Sequence, residues 1–288
     1  MKNFFFLLLV FIANLHFCQV ISGTLISSED NSPISYAKIG FENIEKGTFS
    51  DEKGNFKIDF TNVDINLKVK IEIAGFQTYE NTVKNLIKLN STKIALNPRF
   101  VNVEEVIISS KKYVAKNLGY NSRSKSIHID YLSRNSQTAI KKYTVEELEK
   151  PQAEIAVPIQ SNSKSKITKI NINFAKFEIN KPMPARFIIY SESEGKPDKI
   201  LNSEDILFSI ENENVKNNVF TLDVSDKNIW FKGKIFVSFQ PLDRNFSGSF
   251  FISAGFLGSS YKRSFVEKWR KFPASIVPAI NIDVKSEK

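Results

Sequence analysis

The chain has 288 residues, enough for two domains of ordinary size, each able to bury a core of its own. Hydrophobic residues at 42% and charged residues at 25% exclude wholesale disorder, and 25 Phe against 2 Trp and 8 Tyr, with few glycines, favour β structure. The formal charge of +9 reads as a solvated basic surface, because the lysines alternate with apolar residues instead of forming the stripe that nucleic acid would need.

The N-terminus joins a basic start, Met1-Lys2-Asn3, to an apolar run from Phe4 to Ala13. A run of about ten apolar residues fits a secretory signal peptide and falls short of the ~20 that span a bilayer. Residues 1–19 are therefore expected to be a signal, and the mature chain to be exported: periplasmic, associated with the outer membrane, or extracellular. No transmembrane segment is expected after its removal. Cys18, the single cysteine, closes this segment. Bulky Leu15 and Phe17 stand where a lipidation motif has small residues, so cleavage is expected to leave a mature chain without disulfides.

From Val20 onward the pattern has period two. Phe56, Ile58 and Phe60 alternate with Lys57 and Asp59, and Leu67, Val69, Ile71 and Ile73 alternate with Lys68, Lys70 and Glu72. Each run predicts a strand with one buried and one wet face. Turn formers separate them: Asp30-Asn31-Ser32-Pro33, Glu45-Lys46-Gly47, Lys53-Gly54-Asn55 and Gly75. The segment Asp51-Glu52-Lys53-Gly54-Asn55 lies between arms at Thr48–Ser50 and Phe56–Phe60, and reads as a hairpin connector with Gly54 free to take positive φ. Asp51 lacks the alternating oxygen ligands and the distant Glu of a calcium loop.

The strings I-S-G-T-L-I (21–26), P-I-S-Y-A-K-I-G-F (33–41), G-T-F-S-D-E-K-G-N-F-K-I (47–58), I-A-G-F-Q-T-Y (73–79) and I-A-L-N-P (94–98) resemble the carboxypeptidase regulatory-like domain of bacterial envelope proteins. V-E-E-V-I-I-S-S (103–110) is similar to the tail that follows this domain, including in TonB-dependent receptors. The resemblance covers residues 20–110 and implies a transthyretin-like seven-stranded sandwich. No receptor barrel is read after it, so a TonB-dependent transporter is not expected.

Residues 111–134 are basic and Ser-rich and read as a linker passing into strand, with an alternating piece at Ile127-His128-Ile129-Asp130-Tyr131. Thr144 to Lys150 carries a capping-box spacing from Thr144 to Glu147 and stops at Pro151, which predicts a short helix. Glu154–Ile159 reads as a strand entering a second domain, residues 135–288. Alternation then recurs at 167–174, 185–190, 206–210, 219–224, 234–239 and 249–256, with turns marked by Glu194-Gly195-Lys196-Pro197, Asn217-Asn218 and Lys232-Gly233. A jelly-roll-like β sandwich is the expected closure, since one open sheet would leave an apolar face uncovered. This half is also similar to the second region of uncharacterised envelope proteins, for which the resemblance implies a compartment and no activity.

Catalytic chemistry finds little to stand on. The mature chain holds one histidine, His128, whereas zinc sites take several His or Cys ligands and zinc carboxypeptidases need a His-x-x-Glu pair with a further His. His128 reads as a solvent-side strand residue. With no G-x-S-x-G elbow and His128 the only imidazole base on offer to any serine, Ser249 reads as the start of a strand rather than a nucleophile. No Gly-rich phosphate loop occurs, so neither cofactor nor metal is expected.

A non-enzymatic binding or assembly module follows, with the first sandwich as spacer or docking domain and the second as recognition domain. Its partner is expected to be an envelope protein or a glycan. The alternative is carbohydrate binding through exposed aromatics of the second domain, for which Trp269, Tyr261 and Trp230 are the candidates. A second alternative, glycoside hydrolysis, would draw its carboxylate pair from Asp223, Asp226 and Asp243, which also read as surface turn acids.

Overall fold

The computed structural model describes residues 20–89, 92–99, 112–149, 153–243, 247–256 and 258–288. The expected signal peptide, Cys18 and the tail at 103–110 lie outside the described residues. The described elements are overwhelmingly strands, so the all-β expectation holds. No described helix is long and apolar enough to cross a membrane.

The first domain contains β1 (Val20–Ser27), β2 (Lys38–Gly40), β3 (Gly47–Phe49), β4 (Asn55–Asp59), β5 (Lys68–Glu72), β6 (Tyr79–Thr82) and β7 (Thr92–Leu96). These seven strands form two sheets, ordered β4-β1-β7 and β3-β2-β5-β6. Phe56 and Ile58 turn inward from β4 while Asn55, Lys57 and Asp59 face out, as the alternation requires. They meet Leu25, Phe41, Phe60 and Ile71 in a core closed by Val83 and Leu86 of the short helix Val83–Lys88.

Asp51–Asn55 is a turn, but its arms are not hairpin partners. β3 pairs only with β2 and β4 only with β1, so the connector crosses from one sheet of the sandwich to the other. Asp51 builds the turn itself: its Oδ1 accepts from the backbone N–H of Lys53 at 2.9 Å and of Asn55 at 2.7 Å. Gly54, at φ +76°, is required there, because a Cβ would meet the Leu25 carbonyl at 2.5 Å.

The second domain contains β8 (Tyr113–Gly119), β9 (His128–Leu132), β10 (Glu154–Ile179), β11 (Met183–Ser193), β12 (Lys196–Ile200), β13 (Ile206–Ile210), β14 (Val215–Lys216), β15 (Val219–Asp223), β16 (Trp230–Pro241), β17 (Gly248–Gly255), β18 (Tyr261–Arg263), β19 (Arg270–Lys271), β20 (Val277–Pro278) and β21 (Ile280–Glu287). All fourteen join one hydrogen-bonded ladder that folds around a core including Ile170, Phe187, Phe239 and Phe250. Strands β8 and β9 belong to it, pairing with β21 and β17. Strands β8 and β9 thus lie within 111–134, the stretch read as a linker passing into strand.

β10 organises this ladder. Its 26 residues include both Glu154–Ile159 and 167–174, which the sequence presents as separate strands. The polar stretch between them is a bulge and not a connection: Ser161 Oγ, Ser165 Oγ and Ser286 Oγ lie in a chain with 2.8 Å between neighbours. Gly233, expected in a turn, lies inside β16 opposite Ser161, where the register shifts; its φ of +88° accommodates the bulge. The other expected turns stand. Glu194-Gly195 and Asn217-Asn218 take positive φ between paired strands, as two-residue hairpins require. Thr144 and Glu147 form the expected capping box at the helix Val145–Glu149.

Candidate functional site

The second domain's ladder has an apolar inner face and an outer face that the first domain covers. Along β11, Ala185, Phe187 and Ile189 enter the core, while Arg186, Ile188 and Tyr190 point the other way and are equally buried. Against this face lies the outer face of the β3-β2-β5-β6 sheet. The two domains meet around a cluster of ionisable side chains.

Glu154, the first residue of β10, sits at its centre with no exposed side-chain surface. Its Oε1 accepts from the Tyr190 hydroxyl at 2.8 Å and from Ser238 Oγ at 2.6 Å. Its Oε2 accepts from Lys38 Nζ at 2.8 Å and Arg263 Nε at 3.0 Å. A carboxylate has about four acceptor positions, and all are filled. Arg263 Nη2 also donates to the Tyr190 hydroxyl at 2.8 Å and to Glu72 Oε2 at 3.0 Å. Lys38 on β2 and Glu72 on β5 come from the first domain and the other members from the second, so the bonds of Lys38 to Glu154 and of Arg263 to Glu72 cross the seam.

Charge balance explains the protonation states. Burial alone would raise the Glu154 carboxyl, but two cations and two hydroxyl donors hold it at about 2. Burial lowers the Lys38 ammonium to about 8, with Arg263 adding to the effect against the pull of the carboxylates. The asymmetry is physical: Glu154 has two cations, whereas Lys38 shares its counter-ion with an arginine. Burial and Glu154 together push the Tyr190 hydroxyl up against the opposing influence of Arg263, so Tyr190 stays protonated and able to donate.

Around the cluster the seam is closed by packing. Phe265 lies 5.5 Å from Phe49, ring centre to ring centre, and fills the space left open by Gly47. Ser264 Oγ donates to Glu45 Oε1 at 3.0 Å, and Arg99 donates to the carbonyls of Ile200 and Asn202 at 2.5 and 2.9 Å. A cleft of about 320 Å³ opens beside the cluster, lined by Glu72, Arg99, Tyr190 and Asp198.

The three aromatic candidates separate. Trp269 is half-buried, with the Arg263 guanidinium 4.5 Å above its ring and Tyr190 meeting it edge-on at 5.3 Å. Tyr261 is buried against Phe236 at 5.5 Å. Both belong to the seam. Trp230 lies at the other end of β16, 6.1 Å from the ring of Tyr113, with Lys164 Nζ 5.6 Å from its own ring centre. Tyr113 is 43% exposed, which leaves this pair partly open to solvent.

The acidic candidates are engaged locally. Asp223 Oδ1 accepts from Ser225 N at 2.9 Å and Ser225 Oγ at 2.5 Å, Asp226 pairs with Lys227 at 3.3 Å, and Asp243 pairs with Lys181 at 3.1 Å. Ser249 is a ladder residue of β17, paired with Leu132 and Glu178. His128 stacks on Phe251 at 4.8 Å and lies 3.1 Å from Asp130. Among the described residues, no group of three or more His, Cys, Asp or Glu converges as a metal site.

Sequence reasoning missed the seam itself. The alternation of β5 puts Glu72 on a wet face, and that face is wet only until the second domain covers it; Lys38, on the neighbouring β2, carries no such signal of its own. Lys68, further along β5, keeps 69% of its side-chain surface exposed, whereas Glu72 keeps 16%.

Comparison with known proteins bears on the first domain. Residues 21–108 match the family model of the CarboxypepD_reg-like domain. A crystal structure from Bacteroides fragilis NCTC 9343, of a protein described as membrane-associated and of unknown function, aligns at 10% identity over 93% of this chain and 97% of that one, with a TM-score of 0.21. No curated protein matches the chain.

Proposed function

With residues 21–108 forming a CarboxypepD_reg-like domain, we propose that the chain is a non-catalytic binding or assembly module of a bacterial envelope, in which this sandwich is a fixed docking spacer and the second domain carries recognition. The observation that supports this reading is the buried ionic seam. Lys38, Glu72, Glu154 and Arg263 link the two domains through contacts of 2.8 to 3.0 Å, so they present one surface in a set orientation. Glu154 has its acceptor positions filled and its surface buried, which suits a structural anion better than a general base. The basic, apolar N-terminal run supports export.

Mild cross-linking in the native envelope, followed by purification of the tagged chain, tests this function. A stoichiometric protein partner is expected. A chain recovered alone would contradict the assembly role.

Carbohydrate binding has one specific observation in its favour, the partly exposed Trp230–Tyr113 pair beside Lys164. Retention on a glycan array that is lost in Trp230→Ala would favour it; retention that survives would remove this platform.

A further inference from the structure

The seam has a second polar corner, unlike the first. Arg186 on β11 and Gln240 on β16 are direct neighbours in the ladder, and both side chains are fully buried. Arg186 Nη2 donates to the backbone carbonyl of Tyr36 in the first domain. Tyr36 holds φ at +57°, a left-handed conformation unusual for a bulky residue, and so turns that carbonyl toward the second domain. Beyond this bond the corner is short of partners. Five buried atoms have none among the described residues: Arg186 Nε and Nη1, Gln240 Oε1 and Nε2, and Asp205 Oδ1.

Arg186 and Asp205 do not resolve the deficit between them. The closest approach of Arg186 Nη2 to Asp205 Oδ2 is 3.7 Å, longer than a direct hydrogen bond. Burial pushes the Asp205 carboxyl up, and the nearby guanidinium only partly offsets it. That Nη2–Oδ2 pair is too close for a water between its two atoms, so the demand for water comes from the other atoms, Arg186 Nε and Nη1, Gln240 Oε1 and Nε2, and Asp205 Oδ1. Leaving five buried polar atoms dry would weigh heavily against a marginal folding free energy.

We propose that Arg186, Gln240 and Asp205 form a binding site for ordered water at the domain seam, a hydrated counterpart to the Glu154 cluster, whose carboxylate is paired by protein donors. The mixture of groups selects the occupant. Arg186 and Gln240 Nε2 offer donors, while Asp205 Oδ1 and Gln240 Oε1 need them. Water satisfies both kinds, whereas an inorganic anion would be set against the Asp205 oxygen.

A crystal structure of the two-domain chain at a resolution that shows solvent, with a parallel bromide soak, tests this. Ordered waters within hydrogen-bond distance of Arg186 Nε or Nη1, Gln240 and Asp205 Oδ1, unchanged by bromide, are expected. An anomalous bromide peak at the Arg186 guanidinium would overturn the assignment in favour of an anion. Gln240 packed directly onto Arg186 and Asp205, with no solvent between, would overturn it as well.

Discussion

Arg263 stands directly across from Glu154 in the β10–β18 ladder, its Nε 3.0 Å from Glu154 Oε2. The same guanidinium reaches Glu72 on β5, so one side chain ties the second domain's ladder to the first domain's sheet. The ring centre of Trp269 lies 4.5 Å from the same guanidinium, which packs over it.

Glu154→Gln should be the most damaging single change at the seam. It leaves Lys38 and Arg263 buried beside one another with Glu72 as their remaining carboxylate, and removing one partner from a buried ionic group costs about 3–5 kcal/mol. Ser238→Ala, which deletes one hydrogen bond to the same carboxylate, should cost about 2 kcal/mol. Urea unfolding measures both. Equal costs for the two variants would show that Glu154 is not the centre of the cluster.

Stability should also carry the signature of Glu154 on the acid side. Its carboxyl is held at about 2, below the ordinary 4.5, so the unfolded chain takes up the proton first. The contribution is complete above pH 4.5 and is lost as the pH falls through about 2. Over that window it amounts to about 3 kcal/mol, at 1.36 kcal/mol per unit. The difference between wild type and Glu154→Gln should shrink over the same range in acid unfolding curves; a difference that stays constant would contradict the ion pairing.

Lys38 should give stability the same upward slope with pH, but on the alkaline side. Its ammonium is lowered from 10.5 to about 8, so between these values the unfolded chain binds more protons and stability attributable to this residue rises with pH. Measured against Lys38→Met, wild type should gain stability from pH 8 toward pH 10. A loss over that interval would show that Lys38 prefers its charged form in the folded chain.

Gly47→Ala should weaken both the β2–β3 pairing of the first sandwich and its contact with the second domain. A Cβ at this position would collide with the Ile39 carbonyl and come within 2.6 Å of the Phe265 ring. The β2–β3 pairing is local to the first sandwich, whereas Phe265 belongs to the second domain. Calorimetry should show the variant unfolding at a lower temperature than wild type. Unfolding at the wild-type temperature would mean that the Ile39 carbonyl and Phe265 both yield freely.

The two tryptophans should behave differently. Trp269→Ala uncovers Arg263 and removes a ring from Tyr190, which should cost about 2 kcal/mol. Trp230→Ala, at the far end of β16, should cost less and should be the variant that alters any glycan retention. Thermal unfolding alongside a glycan array separates them; the reverse pattern would place ligand binding at the seam.

Much of the fold was legible because period two survives wherever a strand has one apolar face. Phe56, Ile58, Val69 and Ile71 point inward as their spacing requires, and Asn217-Asn218 turns where two residues must both take positive φ. Connectivity was less visible. The serines at 161–165 look like a loop because they are polar, yet in the ladder they bond to one another, and Lys232-Gly233 looks like a turn although Gly233 absorbs a bulge. The seam was hidden for a different reason. Alternation tells which face of a strand leaves the core, but not whether another domain then covers it. Arg186, inside A-R-F-I-I-Y, and Lys38, inside A-K-I-G-F, carried the one available hint: each is a lone charge surrounded by apolar residues.

The claim that the two domains form one fixed unit is tested most directly by distance measurement between spin labels, one on each domain. The exposed residues Lys57 and Lys232 accept the labels as Lys57→Cys and Lys232→Cys, the chain's own cysteine being confined to position 18. A single narrow distance distribution that broadens when Glu154→Gln is added is the predicted result. A broad distribution in the otherwise unaltered chain would contradict the fixed seam, and with it the proposal that the first sandwich sets the orientation of the second.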